Sequence, residues 1–167
     1  ETGILAGRDL KEGGTWLGVD RRGRFALLTN VREPSRHDAS APSRGALVPR
    51  LLAADAAPSM ALPELVASGR RHNGFNLVAG DASALLWGSN RAPLPAPLAP
   101  GIYGVSNHLL DTPWPKIGRT KAAFARWCGN PGTTPRPWPR PRPCKPPAGT
   151  SASASARSTS ATSNAWV

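Results

Sequence analysis

The apolar positions of the chain follow two rhythms. Near the beginning, and again past the middle, they recur with a period of two, the spacing of a half-buried strand; between these regions they recur at helical spacing. Thr15-Trp16-Leu17-Gly18-Val19 has strand composition and Arg21-Arg22-Gly23-Arg24 makes a tight reversal. Phe25 to Asn30 then returns with Phe25, Leu27 and Thr29 on one face and Ala26, Leu28 and Asn30 on the other, which predicts a β-hairpin. Ser43 is placed to cap a helix with an apolar stripe of Leu47, Val48, Leu51 and Leu52. Pro58 and Pro63 punctuate a second, shorter helix that ends near Gly69, with Met60, Leu62, Leu65 and Val66 as packing residues. Asn73-Gly74 turns into a strand over 75–79, and Gly80-Asp81 into another over 84–87, a second hairpin. A proline-rich crossing loop, Arg91 to Pro100, leads to a final region that ends in a helix over 117–127 with Ala123, Phe124 and Trp127 on its apolar face.

Between that loop and the last helix lies the densest group of candidate chemistry, Gly101 to Lys116, GIYGVSNHLLDTPWPK. Ile102, Tyr103 and Val105 are β-formers, so a strand is expected to begin there and to give out at Ser106-Asn107. Pro113 and Pro115 remove two donors and fix two φ angles around Trp114, forcing a rigid turn that aims the indole. Asn107, like Asn30, is a polar residue at the end of an apolar strand. Either amide can face a cleft or close its own turn, and Trp114 can cap a core.

The formal charge of +11 invites a nucleic-acid reading, but its distribution argues otherwise. Residues 1–124 carry fifteen basic and ten acidic side chains, so more than half of the excess sits in the remainder of the chain. Arg21, Arg22 and Arg24, and Arg70-Arg71, lack the interleaved aromatics of a single-strand binder and read as solvated surface, with no specific nucleic-acid partner. Cys128 and Cys144 have no CxxC spacing, and His37, His72 and His108 are scattered, so neither a disulfide framework nor a metal site is expected. No stretch approaches the roughly 18 apolar residues of a membrane span, and no signal core begins the chain, which leads to an expectation of a cytoplasmic protein. Residue 1 is Glu and not Met, as in a chain that starts downstream of its natural beginning.

Residues 1–127 are expected to fold and 128–167 to form a disordered tail rich in Pro, Arg, Ser and Ala. Eight prolines stand between Pro131 and Pro147, followed by a Ser and Ala run. Such a segment cannot bury enough apolar surface to offset an ordering cost of ~1 to 2 kcal/mol per residue. An out-of-frame or alternative ending, or a proline-rich ligand for an aromatic groove, would each account for its composition.

Four separated blocks, GGTWLGVDRRGRFALLTNVREP from Gly13, SRGALV from Ser43, NGFNLVAGD from Asn73 and GIYGVSNHLLDTPWPK from Gly101, resemble in order and spacing the NRDE family, also called the transport and Golgi organisation protein 2 family. The resemblance spans roughly residues 3 to 124. It implies an α+β fold, part of the αββα two-sheet sandwich of the N-terminal-nucleophile hydrolases. In those hydrolases asparagines in LTN-like and SN-like motifs line the oxyanion site, which assigns Asn30 and Asn107 to a catalytic pocket. The family's Met-Cys start and its Asn-Arg-Asp-Glu signature are not present here; Arg8-Asp9 belongs to the later GRDL run. With the nucleophile absent, the chain as given is expected to be inactive, whereas its parent would be a C–N amide hydrolase.

The alternative implied by the resemblance is a non-enzymatic protein that handles or traffics a lipid or haem. No cofactor is expected, although haem is a possible cargo. The partner would then be a small-molecule amide, a lipid or a haem-like ligand, and association with the Golgi or mitochondria would be compatible with a eukaryotic source. Fold analogy alone does not choose between these classes.

Overall fold

A computed structural model describes residues 3–93 and 95–129; the expectations for the tail and for Cys144 lie outside the described residues. Six strands, β1 (Ile4–Ala6), β2 (Leu17–Asp20), β3 (Phe25–Asn30), β4 (Phe75–Gly80), β5 (Leu85–Ser89) and β6 (Ala96–Pro97), form one antiparallel sheet in sequence order. Three helices accompany it: α1 (Leu47–Ala53), α2 (Pro58–Ser68) and α3 (Pro115–Cys128). The fold is α+β. One sheet is present among the described residues, and the second sheet of a sandwich is not among them.

Both predicted hairpins form, with Leu17 opposite Leu27 and Val78 opposite Trp87. Strand alternation sends Ala26 and Leu28 of β3, Phe75, Leu77 and Ala79 of β4 and Leu86 of β5 to one face, where Leu47, Val48, Leu51 and Leu52 of α1 and Leu62, Leu65 and Val66 of α2 cover them. Helix α1 lies over β2 and β3, and α2 over β4 and β5. Ser43 does cap, but its hydroxyl accepts from Gly45 N in a 3-10 turn, Arg44–Ala46, that runs into α1. That turn rests on the GG pair ahead of β2. Thr15 N donates to Gly45 O at 3.0 Å, and a Cβ on Gly14 would stand 2.4 Å from the Gly45 carbonyl carbon. Glycine at position 14 is what allows two backbones to touch there.

The opposite face of the sheet is also apolar, and it is not covered in the same way. Leu5, Leu17 and Val19 are 66%, 55% and 40% exposed, and Phe25, Leu27 and Trp87 are half-buried on the same side. Helix α3 buries none of its residues, so Phe124 and Trp127 stack on each other, centroids 5.6 Å apart, rather than on the core.

Four expectations need correction. Residues 102–105 form no strand; the stretch crosses as a loop whose backbone is tied down by side chains, and β-formers without a neighbouring free strand edge have no ladder to join. Met60 is 64% exposed and does not pack in the core. The helix predicted over 117–127 begins at Pro115, where proline's missing N–H costs nothing in a first turn. Arg24 is not solvated surface: it is 5% exposed and holds the C-terminal end of α1. Its Nη1 donates to the Ala54 and Ala56 carbonyls at 2.8 and 3.0 Å, its Nη2 to the Leu52 carbonyl, and its Nε to Asp20 at 2.7 Å. A guanidinium thereby serves carbonyls that a helix end leaves without intrahelical partners.

The loop 101–114 is fastened to α3 by Asp111, whose φ of 55° is a conformation few non-glycine residues adopt. Its carboxylate accepts from Lys121 Nζ at 2.7 Å and from Gly104 N at 2.8 Å. The Lys121 hydrogen bond, with smaller help from the Gly104 amide and the lysine charge, holds the Asp111 carboxyl below its ordinary value of 3.8. A lowered carboxyl pKa stabilises the folded loop above the unfolded value and ceases to do so as pH falls through the folded one. Amide exchange in residues 101–114 should therefore accelerate below pH 3.8, and Asp111→Asn should give that faster exchange already at neutral pH. The pair is partly exposed, so the global effect should stay within about 1 kcal/mol. Unchanged exchange in Asp111→Asn would remove the carboxylate from this role.

Candidate functional site

The end of β3 is where the loop 101–114 meets the sheet. Thr29 and Asn76 face each other across β3 and β4, on the face away from the helices. Thr29 Oγ1 donates to Ser106 O at 2.7 Å, and Asn76 Nδ2 donates to His108 O at 2.9 Å. Asn107 lies between these two anchors. Its Nδ2 donates to the Asn30 carbonyl at 3.2 Å and its own carbonyl accepts from Arg32 N at 2.8 Å. Segment 106–108 is thus fixed to the strand end by bonds from three directions, although 77 residues separate Asn107 from Asn30.

The Asn107 amide therefore reaches from the loop to the end of β3 through Nδ2, while its Oδ1 accepts from the adjacent Ser106 Oγ at 3.4 Å. Asn30 shares the helix-side parity of Ala26 and Leu28, and its Oδ1 is buried with no hydrogen-bond partner. Both asparagines line one cavity of about 430 Å³ with Val31, Arg32, Glu33, Pro34, His37 and Arg44. Asn107 itself is exposed, so the cavity opens to solvent at that residue.

Charge in the cavity is arranged unequally. Glu33 is held by Arg91, whose Nε donates to both carboxylate oxygens at 3.0 and 2.8 Å, and Arg36 stands 3.8 Å away. Arg44 is half-buried, and its one hydrogen bond among the described residues runs from Nη1 to Gly74 O at 3.1 Å. Burial pulls its guanidinium below the usual arginine pKa. Arg32 is exposed at the rim.

Sequence reasoning singled out Asn30 and Asn107 but missed Arg44, Glu33, Arg91 and Asn76. For Asn76 a signal was present: it is a polar residue inside the apolar run FNLVAG, away from any turn, and it is fully buried. Its Oδ1 accepts from Trp87 Nε1 at 3.3 Å, so every polar atom of the amide is engaged by the sheet or the loop. Trp114 is half-buried beside His108, at 6.1 Å between centroids, with Lys116 Nζ 4.8 Å from its ring. Cys128, at the exposed end of α3, does not line the cavity. A second cavity, about 380 Å³, adjoins Asp20, whose carboxylate is already occupied by the backbone N–H groups of Arg22 and Arg24 and by both Nε atoms.

Among the described residues no helix is long and apolar enough to cross a membrane. Residues 1–136 match the family model for Transport and Golgi organisation 2. The chain is 43% identical over 130 residues to a Transport and Golgi organization protein 2 homolog of Bos taurus and 42% identical over 130 residues to that of Homo sapiens, in each case across 72% of this chain and 47% of the relative. It thus spans about half the length of the curated relatives it matches. The match takes in all four sequence blocks that meet around α1 and the end of β3, and the chain belongs to the Transport and Golgi organisation 2 family.

Proposed function

We propose that the cavity at the end of β3 is the polar half of a small-molecule site that holds the carbonyl of an amide, within a fold related to the αββα N-terminal-nucleophile hydrolases. The observation that supports this reading is the 3.2 Å bond from Asn107 Nδ2 to the main-chain carbonyl of Asn30, two distant residues that both line one cavity. One hydrogen of Nδ2 is used in that bond. The second is available to an oxygen that gains negative charge as a nucleophile adds to its carbonyl carbon, and one such donor is worth ~2.7 to 4 kcal/mol in a transition state. The sandwich relationship is supported by the uncovered row of Leu5, Leu17, Val19, Leu27 and Trp87, where a second sheet would pack at about 10 Å.

In this reading the described residues that line the cavity bind the amide, and none of them carries a thiol. Amide cleavage by the full-length protein would need a thiol brought beside Asn107. A second reading is favoured by the same apolar row: a lipid or haem-like ligand laid against that face would make the protein a carrier rather than a catalyst.

Titration of the folded chain with N-acetylglycinamide, followed by NMR, tests the first reading. Shifts are expected at Asn30, Arg32 and Asn107, and Asn107→Ala should weaken binding about tenfold, the value of one hydrogen bond of ordinary strength. Shifts confined to the Leu17 and Leu27 face would favour the carrier. Turnover abolished by Cys128→Ala would show that the nucleophile has been misassigned.

A further inference from the structure

Resting on that amide-binding reading, we infer that the ligand also carries a carboxylate next to its amide, as an N-acyl amino acid does, with the carboxylate on Arg44 and the amide N–H on Asn30 Oδ1. Two observations meet here. The first is a half-buried guanidinium without an acidic partner among the described residues: Arg44 lines the cavity and spends one N–H on Gly74 O, while the cavity's own carboxylate, Glu33, is taken by Arg91 through both oxygens. A cation withdrawn from water in this way gains from an anion brought to it, and a planar fork suits a carboxylate best.

The second observation is the buried Asn30 Oδ1, an acceptor without a hydrogen-bond partner on a residue that lines the same cavity. Leaving such an atom unsatisfied is costly, and a ligand N–H is the group that would satisfy it. A simple fatty acid has no such donor. Inorganic phosphate can pair with Arg44 but offers no amide carbonyl to Asn107, so it makes fewer of the cavity's contacts. Arg32 at the rim adds a second cation that steers the anion inward.

The same NMR titration, run on the unmodified full chain with four probes, tests this. N-acetylglycine should bind about tenfold more tightly than neutral N-acetylglycinamide, since a charge-assisted hydrogen bond exceeds a neutral one by about that factor. It should also exceed acetate and inorganic phosphate. Arg44→Gln should abolish the preference for N-acetylglycine over its amide, and Arg44→Lys should restore part of it. Equal affinity for N-acetylglycine and N-acetylglycinamide would overturn the carboxylate assignment and leave the amide reading standing. Acetate binding as tightly as N-acetylglycine would overturn the role of Asn30, and phosphate binding more tightly than either would assign Arg44 to a different ligand class. Because the probe comparison needs no substitution, it holds even if Arg44→Gln fails to fold through loss of the Gly74 bond.

Discussion

Asp20→Ala is expected to cost about 3 to 5 kcal/mol of folding stability, the range for breaking a buried ion pair from one side. The side chains of Asp20 and Arg24 are 5% and 6% exposed, and 2.7 Å separates their bonded atoms. Removing the carboxylate leaves Arg24 buried with its charge uncompensated and frees the backbone donors of Arg22 and Arg24 that fold the β2–β3 turn. The damage then spreads to α1. Arg24 holds the Leu52, Ala54 and Ala56 carbonyls only while Asp20 fixes the orientation of its fork. Against a typical total of about 5 to 15 kcal/mol, the loss is enough to unfold much of the population at 37 °C. Urea unfolding measures it, and a cycle with Arg24→Met should give a double variant less damaged than the sum of the two singles. A cost under about 1 kcal/mol for Asp20→Ala would mean that the pair is solvated.

This ion pair also marks the limit of what the sequence could show. Arg21, Arg22, Gly23 and Arg24 read as a charged turn, and a turn it is: Gly23 has a φ of +76° and its N–H donates to Asp20 O. Nothing local distinguishes Arg24, which is buried, from Arg21 and Arg22, which are exposed; Arg22 Nη2 reaches the same Leu52 and Ala54 carbonyls at 3.1 Å, and only the depth at which each guanidinium sits against the end of α1, some thirty residues later, separates the two. The stripe Leu47, Val48, Leu51 and Leu52 was legible because helical spacing on one buried face is a local property, and all four are buried. Strands β1 and β6, of three and two residues, are too short to show a period, and Pro97 is tolerated only because β6 lies at an edge. Residues 102–105 fail for the converse reason: their strand propensity is real, but propensity does not supply a partner.

At the site the division is similar. Asn30 and Asn107 stood out as polar ends of apolar runs, and the cavity they share depends on a loop path that no local pattern encodes. Arg44 was hidden within a helix-start block, since its place beside a carboxylate already held by Arg91 is a three-dimensional fact. The apolar far face was visible as Leu17, Val19, Phe25 and Leu27 alternating with Gly18, Ala26 and Leu28. An alternation apolar on both faces is the pattern of a sheet covered on both sides, whereas Leu17 and Val19 stand exposed on this one.

Asn76→Leu should remove about 3 kcal/mol of stability and should also disturb the cavity without touching any residue that lines it. Asn76 is fully buried, and its amide is the single link between β4, Trp87 and the loop that carries Asn107. Leucine keeps the volume but takes the donor from His108 O and Thr29 Oγ1 and the acceptor from Trp87 Nε1, at about 1 to 3 kcal/mol for every group left unpaired where water cannot reach. Of these, Thr29 retains its bond to Ser106 O, while Trp87 is half-buried and His108 exposed, so the cost is that of about one such group shared between them. Segment 106–108 would then hang from Thr29 and Asn107 alone. Its amide exchange should accelerate relative to β3 and β4, and affinity for N-acetylglycinamide should fall although Asn30, Arg32 and Asn107 are intact. Asn76→Asp, which keeps the acceptor for Trp87 but loses the donor to His108, should show the same loosening of 106–108. If Asn76→Leu lowers stability yet leaves both exchange in 106–108 and probe affinity unchanged, Asn76 is a core residue only, and the placement of Asn107 depends on Arg32 and Asn30 instead.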